Sequence, residues 1–292
     1  LAIIVDETSR ILIQGITGPT GRSYAERMLR DGTPLVGGVA PGRQGQTVAG
    51  VPVFDNMEDA VAATGANAAL SAVRSSLAMG AALEALSAGI GTLVVYTENV
   101  PLHDAIRMRA YARARGARLL GPNSAGVISP GKANLADLNA SNLRPGRIGI
   151  VSKSGTLTYE VVDDLLASGF GQSSVVCLGG DPILGTTYAD VLPLFEADAE
   201  TDLVILIGEP GGRLEYQAIA ALQAMTKPVV AYIAAQNAPP EKRMGHAGAI
   251  YDSGDTSAAA KLTAFRAAGC EAVGRATEVA AAVTRAVQRA AA

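Results

Sequence analysis

The sequence predicts an α/β protein of two doubly wound domains, and three observations point there. Short apolar runs of strand length alternate with helical stretches along the chain, which is the pattern of parallel sheets covered by helices on both faces. The first of these runs ends in a glycine-rich turn that opens a helix, Gly15-Ile16-Thr17-Gly18-Pro19-Thr20-Gly21. The 292 residues are rich in alanine and glycine, only 4% aromatic and without tryptophan, so the cores must be filled by aliphatic side chains on closely approaching elements. A chain of this length corresponds to roughly two domains.

In the first part the strand-like runs are Ile11 to Gln14, Leu35 to Val39, Ala68 to Val73, Thr92 to Tyr96 and Arg118 to Leu120. Helical stretches lie between them near 20–31, 56–64, 76–88 and 102–115, giving a Rossmann-like domain over residues 1–125. Residues 126–146 hold Pro130-Gly131 and Pro145-Gly146 with little periodicity, as a connector would. Alternation resumes with Ile148 to Val151, a helix near 156–168, Ser174 to Leu178, a helix near 186–197 and Leu203 to Ile207. A helix over 214–225, the strand Val229 to Ile233, a helix near 256–268 and an alanine-rich helix near 276–290 complete a second doubly wound domain, residues 147–292.

Several function classes are disfavoured at once. A net charge of -3, from 27 acidic and 24 basic residues, offers no broad basic surface for nucleic acid. No apolar run approaches the roughly 20 residues that span a bilayer, and the first residues lack a signal-type core, so a soluble cytoplasmic protein is expected. Cys177 and Cys270 lie in or beside apolar strand patterns, where buried free thiols are expected, and they form no metal motif. The phosphate-binding loop with a trailing Lys-Ser or Lys-Thr is absent, so the chain lacks that kind of nucleotide site.

The first glycine turn has the chemistry of an anion site. Its glycines let a phosphate approach the backbone, and the helix start offers unpaired N–H groups and the positive end of a dipole. The spacing is G-x-x-G-x-x-G, however, and the second strand leads to Arg43 where an NAD fingerprint would place a carboxylate for the ribose. That arrangement disfavours NAD and favours a ligand with an extra phosphate, either NADP or coenzyme A. The chain has two histidines. His103 opens an ordinary amphipathic helix, whereas His246 stands in Lys242-Arg243-Met244-Gly245-His246-Ala247-Gly248-Ala249, where small neighbours leave room for a bulky anion at the imidazole.

Further segments make the reading specific. Gly121-Pro122-Asn123-Ser124-Ala125-Gly126, Ser152-Lys153-Ser154-Gly155-Thr156-Leu157-Thr158-Tyr159-Glu160, Gly179-Gly180-Asp181-Pro182, Gly208-Glu209-Pro210-Gly211-Gly212 and the His246 segment together resemble, in order, the α subunits of succinate-CoA ligases. The resemblance implies a CoA-binding Rossmann-like domain followed by a flavodoxin-like ligase domain whose histidine is transiently phosphorylated. It matches Thr17, Gly18, Pro19, Thr20 and Gly21 to the first CoA loop, Arg43 to a lysine that meets CoA phosphate, and Tyr96, Thr97 and Glu98 to a further CoA segment. Asn123 falls near the CoA thiol end, Tyr159 on a substrate-associated tyrosine and His246 on the phosphorylated histidine. The family supplies ATP or GTP with Mg²⁺ on an ATP-grasp β subunit, which implies a hetero-oligomer.

Two pieces of the site follow from the residues themselves once that chemistry is in view. Ser154, Gly155 and Thr156 stand where a strand runs into a helix start, a cradle for phosphate on a histidine. Glu209 follows an apolar strand at the carboxyl edge of the second sheet, from where it can orient the imidazole by accepting its other ring N–H. Thr156 to Glu160 matches the succinate-type ligases more closely than citrate-specific relatives, so the expected substrate is a small dicarboxylate, succinate first and malate second. The chain departs from the family at Ser124-Ala125, where cysteine and proline are common, and at Val73-Arg74-Ser75-Ser76-Leu77, where a proline-rich apolar segment is usual. An NADP-dependent oxidoreductase and a catalytically silent CoA-binding protein are the readings from other classes.

Overall fold

Runs of apolar residues with no polar alternation need helices on both sides of the sheet they form, and the computed structural model provides them. It describes residues 2–237, 245–249 and 254–290, so Lys242, Arg243 and Met244 of the histidine stretch lie outside the described residues. The first sheet grows from β1 (Ile11–Gln14), α1 (Pro19–Arg30), β2 (Leu35–Val39), the short pair β3 (Thr47–Val48) and β4 (Val51–Phe54), and α2 (Met57–Thr64). It continues through β5 (Ala68–Ser71), α3 (Ser75–Ser87), β6 (Thr92–Val95), α4 (Leu102–Ala114) and β7 (Arg118–Leu120). Its order is β3-β4-β2-β1-β5-β6-β7, parallel except where β3 turns back on β4. The chain leaves β1 toward β2 on one side and returns to β5 on the other, so a crevice opens at the carboxyl end of β1, where ligands gather in such sheets.

The second sheet is built from β8 (Gly126–Ser129), β9 (Ala133–Ala136), β10 (Pro145–Ser152), α5 (Gly155–Ala167), β11 (Gln172–Cys177), α6 (Tyr188–Ala197) and β12 (Leu203–Gly208). A 3-10 turn (Glu215–Ala218), α7 (Ile219–Ala224), β13 (Val229–Ile233), α8 (Ala258–Ala267), β14 (Glu271–Val273) and α9 (Val279–Ala290) complete it. The order β14-β13-β12-β10-β11-β8-β9 places five parallel strands in the flavodoxin arrangement, with the β8–β9 hairpin added antiparallel to β11.

That hairpin corrects the expectation of a connector over 126–146. Both strands are short and buried on both faces, so neither shows the alternation that marks a strand in sequence. The Pro130-Gly131 turn, with Gly131 at φ +77, joins them. Strand β4 is also hidden in the sequence, because Pro52 interrupts it; lying between β3 and β2, it buries Val51 and Val53 and leaves Pro52 exposed. The helix expected over 214–225 begins as a 3-10 turn, and the short β14 closes the second sheet where the sequence predicts no strand.

The carboxyl ends of the two sheets meet at the loop after β7. There Gly121 N–H donates to Leu178 O (2.8 Å), Asn123 N–H to Thr97 O (2.8 Å) and Gly180 N–H to Asn123 O (3.0 Å), tying the ends of β6 and β11 together. Cys177 and Cys270 are free and buried. No helix among the described residues is long and apolar enough to cross a membrane.

Candidate active site

Helix α5 starts abruptly because Ser154 caps it, its hydroxyl oxygen accepting Leu157 N–H at 3.3 Å. A methyl at Gly155 would lie 2.8 Å from Ala125 Cβ, so glycine lets the helix start press against the loop that carries Asn123. Ser124 anchors that loop in turn, donating to Cys177 O (2.6 Å) and accepting Gly126 N–H (2.9 Å). The residue that departs from the family pattern is therefore a fastening between the two halves of the site.

A cavity of about 380 Å³ opens here. Tyr96, Glu98 and Asn123 line it from the first domain's side, and Gly155, Thr156, Tyr159 and His246 from the second. Among the residues expected from sequence, these seven are brought together around one space. Ser154 stands behind it as the helix cap, and Glu209 lies behind His246. Thr97 fastens the wall, its hydroxyl donating to Val73 O and its carbonyl accepting from Asn123. Tyr159 OH donates to Asp137 O (2.9 Å) and accepts Asn139 N–H (2.8 Å), and burial raises its pKa. Thr17, Gly18, Pro19, Thr20, Gly21 and Arg43 do not line this cavity: Thr17 and Gly18 follow β1, Pro19, Thr20 and Gly21 open α1, and Arg43 follows β2. Arg43 is exposed, and the loop carrying it is pinned by Asp55 Oδ1, which accepts Arg43 N–H (2.8 Å) and Gln44 N–H (2.9 Å). His103 is exposed in the first turn of α4.

The first loop has the close approaches an anion cradle needs. Gly15 takes φ +79, and a methyl at Gly21 would lie 2.3 Å from Gly15 O, so the turn and helix α1 pack with no room for a side chain. Gly18 gives α1 no side-chain cap, which leaves its first N–H groups to a ligand.

His246 is held from one side. Its Nδ1 lies 2.9 Å from Glu209 Oε2, so the ring donates there and Nε2 is the nitrogen left for chemistry. Gly180 lets the ring sit close: a methyl there would be 2.5 Å from His246 Cδ2 and 3.0 Å from Asn123 Nδ2. The hydrogen bond to Glu209 raises the imidazole pKa above its ordinary value, against the opposing effect of burial. Glu209 itself is only 5% exposed. Burial works against its charge, yet the hydrogen bond from His246 and the charge of Lys153 outweigh it and lower its pKa.

Lys153, Gly180, Asp137 and Asp181 carry parts of this site to which sequence reasoning assigns no role. Lys153 and Gly180 stand inside the motifs that carry the resemblance, but a lysine at a strand-to-helix turn reads as a solvated cation until its partner on a distant strand is known. Asp137 lines the cavity from the end of the hairpin, where the sequence predicts a connector, and it pairs with Arg27 of α1 at 2.9 Å. Burial raises the pKa of Asp181, whose Oδ2 accepts Val100 N–H at 3.2 Å.

Comparison with known proteins places this arrangement. The CoA binding domain family matches residues 6–99 and the CoA-ligase family residues 151–270. The chain is 49% identical over 269 residues to succinate-CoA ligase [ADP-forming] subunit alpha 2 of Archaeoglobus fulgidus, covering 92% of this chain and 94% of that one. It belongs to the succinate-CoA ligase α-subunit family. Other α subunits of that name are 43% identical in Methanothermobacter thermautotrophicus, with 94% of each chain covered, and 40% identical in Staphylococcus aureus, with 96% and 93% covered. Among solved structures, the ATP citrate lyase of Methanothrix soehngenii in complex with citrate and coenzyme A superposes with a TM-score of 0.86 at 24% identity. This α subunit covers 50% of that chain, and the likeness shows a shared fold. The match of the first domain to CoA-binding domains supports CoA rather than NADP as the cofactor.

Proposed function

We propose that this α subunit, with a β subunit of the ATP-grasp kind, joins a small dicarboxylate to CoA at the expense of a nucleoside triphosphate, by way of phosphate carried on His246 Nε2. The observation that carries the reading is the placing of His246: Glu209 occupies Nδ1, while the ring borders a cavity shared with Asn123, Tyr96 and the start of α5. In transfer onto the ring the Nε2 lone pair forms the P–N bond as a P–O bond of the triphosphate breaks, and the leaving oxygen keeps the electron pair of the broken bond; in transfer off the ring a P–O bond forms as the P–N bond breaks, and its pair returns to Nε2. Between the two transfers the ring carries positive charge, which Glu209 stabilises through Nδ1–H. Held at the α5 start, the phosphate meets the free N–H groups of Gly155 and Thr156 and the positive helix end. A substrate carboxylate oxygen takes the phosphoryl group from Nε2, and the CoA thiolate displaces phosphate from the acyl carbon, giving acyl-CoA.

In the first domain the Thr17–Gly21 turn and Arg43 suit the phosphates of CoA, and Asn123 suits its thiol end beside the cavity. Tyr159 suits the substrate side, with succinate the first choice and malate the second. The nucleotide and Mg²⁺ belong on the partner, and a cytoplasmic location fits this chemistry.

The test is the co-purified enzyme with labelled triphosphate. The wild type is expected to take up acid-labile, base-stable phosphate on the α chain and to make succinyl-CoA. His246→Asn is expected to fold, keep its partner and bind CoA, yet incorporate no label. Normal turnover by that variant would overturn the relay, and activity confined to monocarboxylates or citrate would overturn the substrate class.

A further inference from the structure

Behind the histidine lies a second layer of charge. Glu209 Oε1, the oxygen that does not face the ring, is 2.9 Å from Lys153 Nζ, and both side chains are almost wholly buried, 6% and 4% exposed. This contact is an ion pair without the alignment of a hydrogen bond, since Oε1 has no hydrogen-bond partner among the described residues. The backbone of Glu209 is clamped separately. Lys261 on α8 donates through Nζ to Glu209 O (2.8 Å), Gly211 O (2.6 Å) and Glu215 Oε2 (2.7 Å), and Glu215 Oε1 accepts Glu209 N–H at 3.3 Å. With its main chain fixed by Lys261 and Glu215, the carboxylate has, among the described residues, one cation behind it and one imidazole in front.

Resting on the phosphohistidine reading above, we propose that Lys153 is the positioning residue of this site: its ammonium keeps Glu209 a carboxylate aimed at His246 Nδ1 and offsets part of that carboxylate's pull on the ring, freeing as a nucleophile an Nε2 that the carboxylate alone would hold protonated more firmly.

Charge balance in a buried place requires such a cation. An isolated carboxylate this deeply buried is costly, and removing the counter-charge from a buried pair leaves an uncompensated charge. The nearest proton that could neutralise Glu209 is the one on His246, and a carboxylate without its lysine would hold the imidazole as a cation. A doubly protonated ring has no lone pair for phosphorus. Besides Glu209 and Lys153, the ring feels Asp181, which favours its charged form as Glu209 does, and Glu98 lies on the same cavity wall. Among the described residues Lys153 is the cation that opposes them. Burial lowers the affinity of Lys153 for its proton, but Glu215 and Glu209 together outweigh that and leave it a firm cation. Glu215 is already matched by Lys261, which leaves Lys153 to balance Glu209.

The test measures phosphorylation of the α chain against pH in the enzyme reconstituted with its partner. Because the chain has only two histidines, ¹⁵N-histidine in the α chain alone gives a direct ring titration, with exposed His103 as the internal control. Lys153→Met is expected to move the acid limb and the His246 titration to higher pH. Phosphorylation at pH 7 should then fall roughly tenfold for every pH unit the limb moves, and recover in alkali. Lys153→Arg is expected to keep the wild-type limb. In a Glu209→Gln background, where no carboxylate needs offsetting, Lys153→Met is expected to have much less effect. Should Lys153→Met fail to fold, Lys153→Gln takes its place, since the amide is polar but uncharged. An unmoved acid limb in a folded, CoA-binding variant would overturn the proposal, as would an equal effect in both backgrounds. If wild-type His246 takes up no phosphate, it is the phosphohistidine reading that fails.

Discussion

At the scale of single residues, the site works by controlling one ring. Glu209→Gln keeps the shape but replaces a charge-assisted hydrogen bond, worth about 1.5–3 kcal/mol, by a weaker neutral one. Phosphorylation of His246 is expected to slow roughly ten- to a hundredfold without vanishing, read by label uptake in single turnovers. Gly180→Ala is a sharper steric test, because its methyl would sit 2.5 Å from His246 Cδ2 and 2.6 Å from Cγ. A displacement of about 1 Å can cost on the order of a hundredfold in rate. That loss is expected with little change in melting temperature. The pH dependence has a definite sign. Only the neutral ring attacks phosphorus, and its folded pKa lies above the ordinary 6.5, so phosphorylation should rise with pH through a midpoint above that value. The same raised pKa stabilises the fold fully below pH 6.5, and that contribution is lost as pH rises through the folded value.

At the scale of elements, two helix starts divide the labour. The α1 turn carries no side-chain cap and is assigned to CoA in the proposed function, while the α5 start is capped by Ser154 and faces the histidine cavity. Arg43→Ala removes a cation from the first of these and leaves the second intact. CoA binding is expected to weaken roughly ten- to a hundredfold, the measure of a charge-assisted contact, with nucleotide-driven phosphorylation nearly unchanged. Calorimetry and label uptake read the two effects separately, and an unchanged CoA affinity would remove Arg43 from the site. These elements are legible in the sequence because each pairs an apolar run with glycines at a turn. The β8–β9 hairpin is not, since strands buried on both faces show no period and the turn between them looks like any other Pro-Gly loop.

At the scale of the whole molecule, the site exists only where two sheets present their carboxyl ends to one another. Asn123 is bonded to Thr97 on one side and Gly180 on the other, so in the proposed function the thiol end of CoA meets a wall to which both domains are fastened. Ligand binding to the folded chain alone should therefore stabilise it globally. CoA at about a hundred times its dissociation constant adds about 2.7 kcal/mol, and a rise in melting temperature with CoA but none with NADP is the expected result in thermal unfolding. The buried Lys261–Glu215 pair, with both side chains 0% exposed, locks α8 to the loop after β12. Breaking it with Lys261→Met should destabilise by about 3–5 kcal/mol, the cost of an uncompensated buried charge, measured by denaturant unfolding.

The sequence by itself determined the two-sheet α/β plan and the glycine turns at the helix starts, and it pointed to His246 rather than His103 and to the pairing of that histidine with Glu209. The plan and the turns are local, since apolar runs fix strands and glycines fix turns, whereas the pairing across 37 positions was legible only from the placing of Glu209 at a carboxyl strand end together with the family resemblance. The tertiary structure alone decided that Lys153 is buried against Glu209, that Lys261 clamps the same loop from α8, and that 126–136 forms part of the second sheet. Each depends on residues far apart in the chain becoming neighbours, and a charge reveals its purpose only when its partner and the water excluded around both are known.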